Sequence, residues 1–431
     1  MKLASVEIRN FRAIEEMPLP LHPQLTVLHG ENGLGKTSVL RAIAVGLNAI
    51  PACIPGTTWA LDYREQDPRR NTAPADVTVT VTTVTGMSWT VRSGGGRAWR
   101  PVEGRIEDLI LWMREFREDA GTEAAVSDLP VVAFYDTERA MVDIPEESRK
   151  IPESEEFPRH RAFERALAAR AAFPAFFRWF YAMENQELRE QRARADFEYR
   201  NRGLAAVRQA ICAVLKGASS PSIRVEPLAF EISMQTNGRD EILDLEQLSG
   251  GCRATLALAG DLAWRMAVGN PHRENPLKSE AVVLIDEIEL HLHPSWQQRI
   301  LDDLTRTFPN AQFIVTTHSP QVLTTVRPEQ VVTLVREDGK IVPHAPGWGT
   351  YGAEAGDVLT AVMGVEERPR NEFSKTLDQY RELIEDDRGE TEEALALREK
   401  LDTWNRQDPD LVRADAAIRR RNTLRRMGRA G

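Results

Sequence analysis

One stretch, Gly30-Glu31-Asn32-Gly33-Leu34-Gly35-Lys36-Thr37-Ser38, limits this chain more than any other. Its glycines let the backbone curl until consecutive N–H groups point at one anion. Lys36 adds a mobile positive charge suited to β- and γ-phosphates, and Thr37 adds a hydroxyl suited to Mg²⁺. The flanks agree with that reading. Leu25–His29 reads as a buried strand, and Ser38–Leu47 reads as a helix whose N-terminus faces the phosphates. Strand, loop and helix together make a phosphate-binding P-loop, so the expected ligand is a nucleoside triphosphate.

The rest of the composition narrows the setting. At 431 residues the chain is long enough for two domains, or for one large core with an insertion. No apolar run approaches the roughly 20 residues of a membrane span, so no membrane association is expected. The first residues, Met1–Ile8, alternate like a strand and lack a signal-peptide core. Cys53, Cys212 and Cys252 are widely separated, which suggests reduced thiols and a cytoplasmic location. The net charge of −10 argues against a general polyanion binder. Any DNA or RNA contact would need a local basic patch.

Along the chain, Val77–Val84 and Trp89–Arg92 alternate as a β-hairpin, a helix follows at 106–118, and Leu129–Tyr135 reads as a strand. Between about Ser148 and Lys216, Arg, Glu and Ala dominate, with Phe163, Phe173, Phe176, Phe177, Trp179, Phe180 and Tyr181 interleaved. This reads as a helical insertion, too short and too broken by Pro158 and Pro174 for a coiled-coil arm. Strands are expected at Ser222–Glu231, Ile242–Leu245, Ala281–Ile285, Ala311–Thr316, Gln330–Val335 and Lys340–Pro343, with a helix at Ser295–Phe308. After Gly349 the chain turns helical and charged. The expected divisions are therefore 1–147, 148–218 (the insertion), 219–348 and 349–431.

Three further motifs carry chemistry. Val282-Val283-Leu284-Ile285-Asp286-Glu287 is a buried strand ending in two carboxylates. Asp286 can organise a Mg²⁺ shell, and Glu287 can polarise an attacking water. Leu248-Ser249-Gly250-Gly251-Cys252-Arg253 opens a helix whose exposed N–H groups and hydroxyl suit a second anion, although the same pattern also makes a plain N-cap. In Phe313–Pro320, His318 lies just past a strand, where a neutral imidazole can bond a γ-phosphate or the attacking water.

These motifs, in this order, resemble the ATP-binding-cassette type head of the SMC/RecF-like ATPases. The resemblance implies an α/β fold of P-loop NTPase type: a mixed β-sheet core and an antiparallel β subdomain, with a helical insertion lobe and a helical C-terminal extension. In that family Lys36, Thr37 and Asp286 would bind ATP with Mg²⁺, Glu287 would be the catalytic carboxylate, and His318 the switch histidine. Ser249, Gly250 and Gly251 would contact the γ-phosphate held by another copy, implying a homodimer with ATP sandwiched between heads. Cys252 stands at the fifth signature position, where transporters usually carry glutamine. The Q-loop element is best placed near Asp136–Arg139.

Glu289-Leu290-His291-Leu292-His293-Pro294, followed by Trp296-Gln297-Gln298, is similar to the RecF-like ATPases of bacterial anti-phage defence, and the aromatic insertion resembles that of the Septu-type family. That resemblance implies a separately encoded HNH nuclease as partner, whose activity ATP turnover would regulate. The chain itself shows neither a His-Asn-His pattern nor a toprim-like Asp-x-Asp pair. Two other functions remain open at this point: a DNA-repair or chromosome-maintenance ATPase acting directly on DNA, and a non-hydrolysing switch locked by ATP. So do zinc at His291, His293 and His318, and a weak metal site at Glu184, Glu187 and Glu190. The tail carries Arg413, Arg419, Arg420, Arg421, Arg425, Arg426 and Arg429 against Asp415 alone. It reads as a solvated end or as a docking element for an acidic partner or nucleic acid.

Overall fold

The computed structural model describes residues 1–54, 64, 66–69, 77–93, 99–102, 106–119, 127–137, 155–168, 172–236, 238–347, 349–386 and 388–428. They form two compact units, Met1–Met363 and Gly364–Gly431.

The larger unit is built on two main sheets. An antiparallel sheet uses β1 (Leu3–Phe11), β2 (Ile14–Pro20), β4 (Val77–Thr83), β5 (Ser88–Ser93) and β6 (Arg100–Pro101) in the order β2-β1-β4-β5-β6. The mixed sheet uses β3 (Leu25–His29), β7 (Val131–Tyr135), β11 (Ala281–Ile285), β12 (Ala311–Thr316), β13 (Val331–Glu337) and β14 (Lys340–His344) in the order β14-β13-β3-β12-β11-β7. Its strands β13, β3, β12, β11 and β7 run parallel, and β14 is antiparallel to β13. Every residue of β3, β7, β11 and β12 is buried, as expected of aliphatic strands covered on both faces. The mixed core and the antiparallel subdomain expected from the sequence are both present.

The helix Lys36–Leu47 is buried from Val39 to Leu47, apolar there except for Arg41. It packs against the antiparallel sheet at Gly46, where an added Cβ would lie 2.5 Å from Val81 Cγ2. Trp89 Nε1 donates to Gly46 O at 2.8 Å, which fixes the helix end. On β4, Val77, Val79 and Val81 point inward while Thr78, Thr80 and Thr82 are half-buried, the period of two seen in the sequence.

The insertion packs into the larger unit. Its helices Phe173–Arg194 and Arg202–Val214 share one core with the helix Gly250–Gly269. Phe173, Phe176, Phe180 and Phe230 cluster with ring centroids 5.2–6.2 Å apart, and a Cβ at Gly260 would come within 3.3 Å of Phe176 Cζ. The aromatics that marked a change in composition are what join this segment to the core. The expected strand at Ser222–Glu231 is two strands, β8 (Ala218–Arg224) and β9 (Ala229–Thr236), which pair with β10 (Arg239–Asp244) in a small antiparallel sheet. The expected helix at Ser295–Phe308 breaks into Pro294–Gln297 and Ile300–Thr307. Gln297 and Gln298 sit at the break and reach sideways to Ser319 and Gln321.

The larger unit also extends beyond the expected 348/349 division. Thr350 Oγ1 donates to Val326 O, Gly352 N–H donates to Thr324 O, and Val358 is fully buried. The smaller unit has helices Glu372–Glu385, Glu392–Asn405 and Pro409–Gly428 around Leu377, Tyr380, Leu401 and Leu411. The arginine-rich tail is helical through Gly428, and it is tied by Asp415 to Arg398 at 3.0 Å and by Arg421 to the Ile384 carbonyl.

Candidate nucleotide site

The sheet order brings together residues far apart in the chain. β3 lies between β12 and β13, and β12 pairs with β11. The P-loop thus emerges beside the ends of β11 and β12, at the carboxyl edge where α/β sheets present ligand groups. Gly30 has φ +149°, and a Cβ there would meet Leu334 O at 2.6 Å, so this position requires glycine. Gly35 is left-handed at φ 77° and starts the helix. Lys36 is buried, and its Nζ donates to Gly30 O at 2.8 Å and Glu31 O at 2.9 Å. Burial pushes the Lys36 ammonium below its usual range, while Asp286, Glu287 and Glu289 pull it back up.

Thr37 Oγ1 donates to Asp286 Oδ2 at 2.7 Å, and Thr316 Oγ1 donates to Asp286 Oδ1. The Thr316 hydroxyl also accepts the Glu287 N–H at 2.7 Å. Glu287 is left-handed at φ 46°, a strained setting for a non-glycine residue directly after the strand. From the other side, Asp286 N–H donates to Tyr135 O at 2.8 Å. Three strand ends and the P-loop helix therefore meet at Asp286, whose carboxylate accepts from Thr37 and Thr316 and whose N–H donates to the Tyr135 carbonyl. A threonine hydroxyl beside a buried carboxylate is a hard-oxygen pair, a donor set that suits Mg²⁺.

His318 is half-buried, and its N–H donates to Glu289 Oε1 at 2.6 Å while Thr317 Oγ1 donates to Glu289 Oε2 at 2.8 Å. Glu289 thus clamps the segment carrying His318 to the end of β11. On the P-loop strand, burial pushes the His29 imidazole down to about 4, with Lys36 and His318 adding to the shift.

Ser249 caps the helix Gly250–Gly269, its Oγ accepting the Cys252 N–H at 3.3 Å. Gly251 lies against the backbone of His291, where a Cβ would be 2.5 Å from His291 O. Among the described residues no hydrogen bond joins Ser249–Gly251 to Gly30–Ser38. The fold brings Lys36, Thr37, Asp286 and Glu287 together and sets the Ser-Gly-Gly turn against His291 and Leu292 instead.

Other sequence readings resolve differently. Among the described residues no three His, Cys, Asp or Glu side chains cluster as a metal site. His293 Nδ1 sits 2.9 Å from Ser295 Oγ as a local cap. Glu184 and Glu187 both bind Arg208, at 2.7 and 2.8 Å, and Glu190 binds Arg194, so the acidic helix face is neutralised by arginines. Of the Q-loop candidate, Glu138 and Arg139 lie outside the described residues. The three cysteines are free thiols, and no described helix is long and apolar enough to cross a membrane.

Sequence reasoning gave Thr316 and Glu289 no role and missed a buried network. Asp261 Oδ2 accepts from Tyr135 Oη at 2.6 Å and from Arg265 Nε at 2.7 Å, and Asp261 Oδ1 accepts the Ala172 N–H at 3.0 Å. The signal was present: an Asp and an Arg four apart inside the otherwise apolar helix through Thr255–Gly269.

Known proteins extend this picture. The chain is 28% identical to the "Retron Ec83 probable ATPase" of Escherichia coli, over 98% of this chain and 87% of the relative. It is 25% identical to the "Retron Vc95 probable ATPase" of Vibrio cholerae serotype O1 biovar El Tor, over 83% and 78%. A shorter match, 34% identical over 24% of this chain and 29% of the relative, is to the "Septu protein PtuA" of Bacillus thuringiensis. Among solved structures, an SMC head bound to the C-terminal winged-helix domain of ScpA aligns with a TM-score of 0.42 at 17% identity, over 80% of this chain and 98% of that one. The family described as "AAA domain, putative AbiEii toxin, Type IV TA system" matches residues 25–324, from the P-loop strand to just past His318. The chain belongs to this AAA family of P-loop ATPases, with retron ATPases and Septu PtuA among its relatives.

Proposed function

We propose that this chain binds and hydrolyses ATP between two copies of itself and thereby regulates a separately encoded nuclease in anti-phage defence. The observation that carries the catalytic part is the hydrogen-bonded line Thr37–Asp286–Thr316–Glu287. The P-loop N–H groups cradle the phosphates, and Lys36 meets the β- and γ-phosphate oxygens. Thr37 and Asp286 hold Mg²⁺, which when bound neutralises charge on the phosphates. Glu287, fixed through its N–H to Thr316, orients the attacking water and takes its proton. His318, steadied by Glu289, hydrogen-bonds the γ-phosphate edge.

The second copy enters because the Ser249-Gly250-Gly251 turn makes no described contact with the P-loop of its own chain. As a helix N-terminus it suits the γ-phosphate held by a partner. The relatives' names support the defence setting, and a partner of HNH nuclease type follows from the Septu resemblance. The Glu287→Gln protein should bind ATP normally, hydrolyse it at least about a hundredfold more slowly, and accumulate as an ATP-bound dimer in light scattering. Wild-type turnover in that variant would remove Glu287 from the mechanism. A persistent monomer with ATP would remove the sandwich. Failure to co-purify with a neighbouring nuclease would remove the effector reading.

A further inference from the structure

A cavity of about 540 Å³ opens where the helices Phe173–Arg194 and Arg202–Val214 meet the end of the helix Gly250–Gly269. Its walls are Phe157, Trp179, Met183 and Tyr199, and the exposed Arg200 and Arg202 line it as well. This volume lies in the range of small-ligand sites, and a purine or pyrimidine ring fits within it. We propose that it is a binding site for a base and its adjoining phosphate in single-stranded nucleic acid.

Three observations carry this. The first is the wall chemistry. Two aromatic walls are already in stacking contact with guanidinium groups, Arg194 over Tyr199 at 4.5 Å and Arg161 over Phe157 at 5.4 Å. Flat aromatic and polarisable surfaces accept any base by stacking. Phe197, 76% exposed, offers a second platform two residues from Tyr199.

The second is charge. Among the described residues the one carboxylate lining the cavity is Glu155, which is taken up by Arg161 and Arg178. Arg202 has no acidic partner among the described residues. The nearest carboxylate to Arg200 is that of Glu198, 3.9 Å away and 93% exposed. Arg200 instead donates to Phe197 O and Tyr199 O, which shapes the loop around the cavity. Two such arginines, beside the N-terminus of a helix Asn201 caps, suit a phosphate. On a chain of net charge −10 this is the local basic patch a nucleic-acid contact requires.

The third is the floor. Gly203 is the lining residue without a side chain. A Cβ there would be 3.5 Å from Trp179 Cζ2 and 3.6 Å from Ala267 Cβ, ordinary contact distances, and its φ is not left-handed. A larger side chain at 203 would therefore grow into the cavity without straining the helix.

The test uses the full chain, saturated with a non-hydrolysable ATP analogue so that the P-loop is filled, and a fluorescent thymidine oligonucleotide without a terminal triphosphate. Wild type should bind it with an affinity that falls steeply with salt. Gly203→Leu fills the cavity, and Arg200→Glu with Arg202→Glu reverses the rim charge. Each should weaken binding by about tenfold or more, leaving the melting temperature and ATP binding unchanged. A bromodeoxyuridine oligonucleotide should photo-crosslink to the peptide carrying Trp179 or Tyr199. No binding at low salt, equal binding in both variants, or a crosslink confined to residues 409–428 would overturn the assignment. So would a partner protein whose binding Gly203→Leu abolishes while oligonucleotide binding persists.

Discussion

Asp261→Ala should destabilise the larger unit more than any substitution of the exposed charges. The Asp261 carboxylate is 1% exposed and accepts four hydrogen bonds: two from Arg265, one from Tyr135 and one from the Ala172 N–H. Removing it leaves the Arg265 guanidinium, also 1% exposed, with the Ala162 and Glu164 carbonyls but no carboxylate among the described residues. An uncompensated buried charge of this kind costs about 3–5 kcal/mol. Tyr135→Phe removes one hydrogen bond to a charged group and should cost about 1.5–3 kcal/mol, because three donors still satisfy the carboxylate. Joint replacement, Asp261→Leu with Arg265→Met, removes both charges and should cost less than Asp261→Ala alone. Guanidinium unfolding followed by near-ultraviolet circular dichroism gives all three values. The effect should also reach the site, since the Tyr135 carbonyl holds the Asp286 N–H. The reasoning fails if Asp261→Ala lies within about 1 kcal/mol of wild type, or if the joint variant costs as much as Asp261→Ala.

Gly251→Ala puts a Cβ 2.5 Å from His291 O and should cost about 1–3 kcal/mol. Gly250→Ala, with nothing nearer than 3.9 Å, should be neutral or slightly stabilising, and equal melting temperatures for the two would refute the contact. His29 is held neutral down to about pH 4, whereas in the unfolded chain it takes up a proton near 6.5. Its contribution is intact above pH 6.5 and is lost as pH falls toward 4, by up to about 3 kcal/mol. His29→Gln should therefore flatten the melting-temperature profile in that window, and an unchanged slope would exclude His29 as the cause. Deleting residues 411–431 removes Leu411 and Ala414 from the small core and Asp415 from Arg398. It should unfold the helices of Gly364–Gly431, read as a loss of helical signal larger than the deleted segment itself supplies.

What could be read in the sequence was what neighbouring residues determine among themselves. Glycine placement made Gly30–Thr37 a phosphate loop, and mostly apolar runs gave β11 and β12 with the bounds the structure has. Alternation gave the β4–β5 hairpin, and two carboxylates after an apolar strand marked Asp286 and Glu287. Boundaries slipped where side chains overrode local pattern: at Gln297 and Gln298, which turn aside to Ser319 and Gln321, and at Thr350–Val358, which packs back on the larger unit.

The sequence by itself thus determined that the chain holds a nucleotide loop, a two-carboxylate strand end and a capped Ser-Gly-Gly helix. Only the tertiary structure decided how they act on one another. The order β13-β3-β12-β11-β7 puts Thr316 between two carboxyl-bearing residues and sets Tyr135 against Asp286. Packing put Gly251 on His291 rather than on the phosphate loop, and turned three glutamates on one helix face into partners for Arg208 and Arg194. Those relations run between segments remote along the chain. A hydrogen bond across a parallel sheet depends on strand order, which local periodicity does not encode.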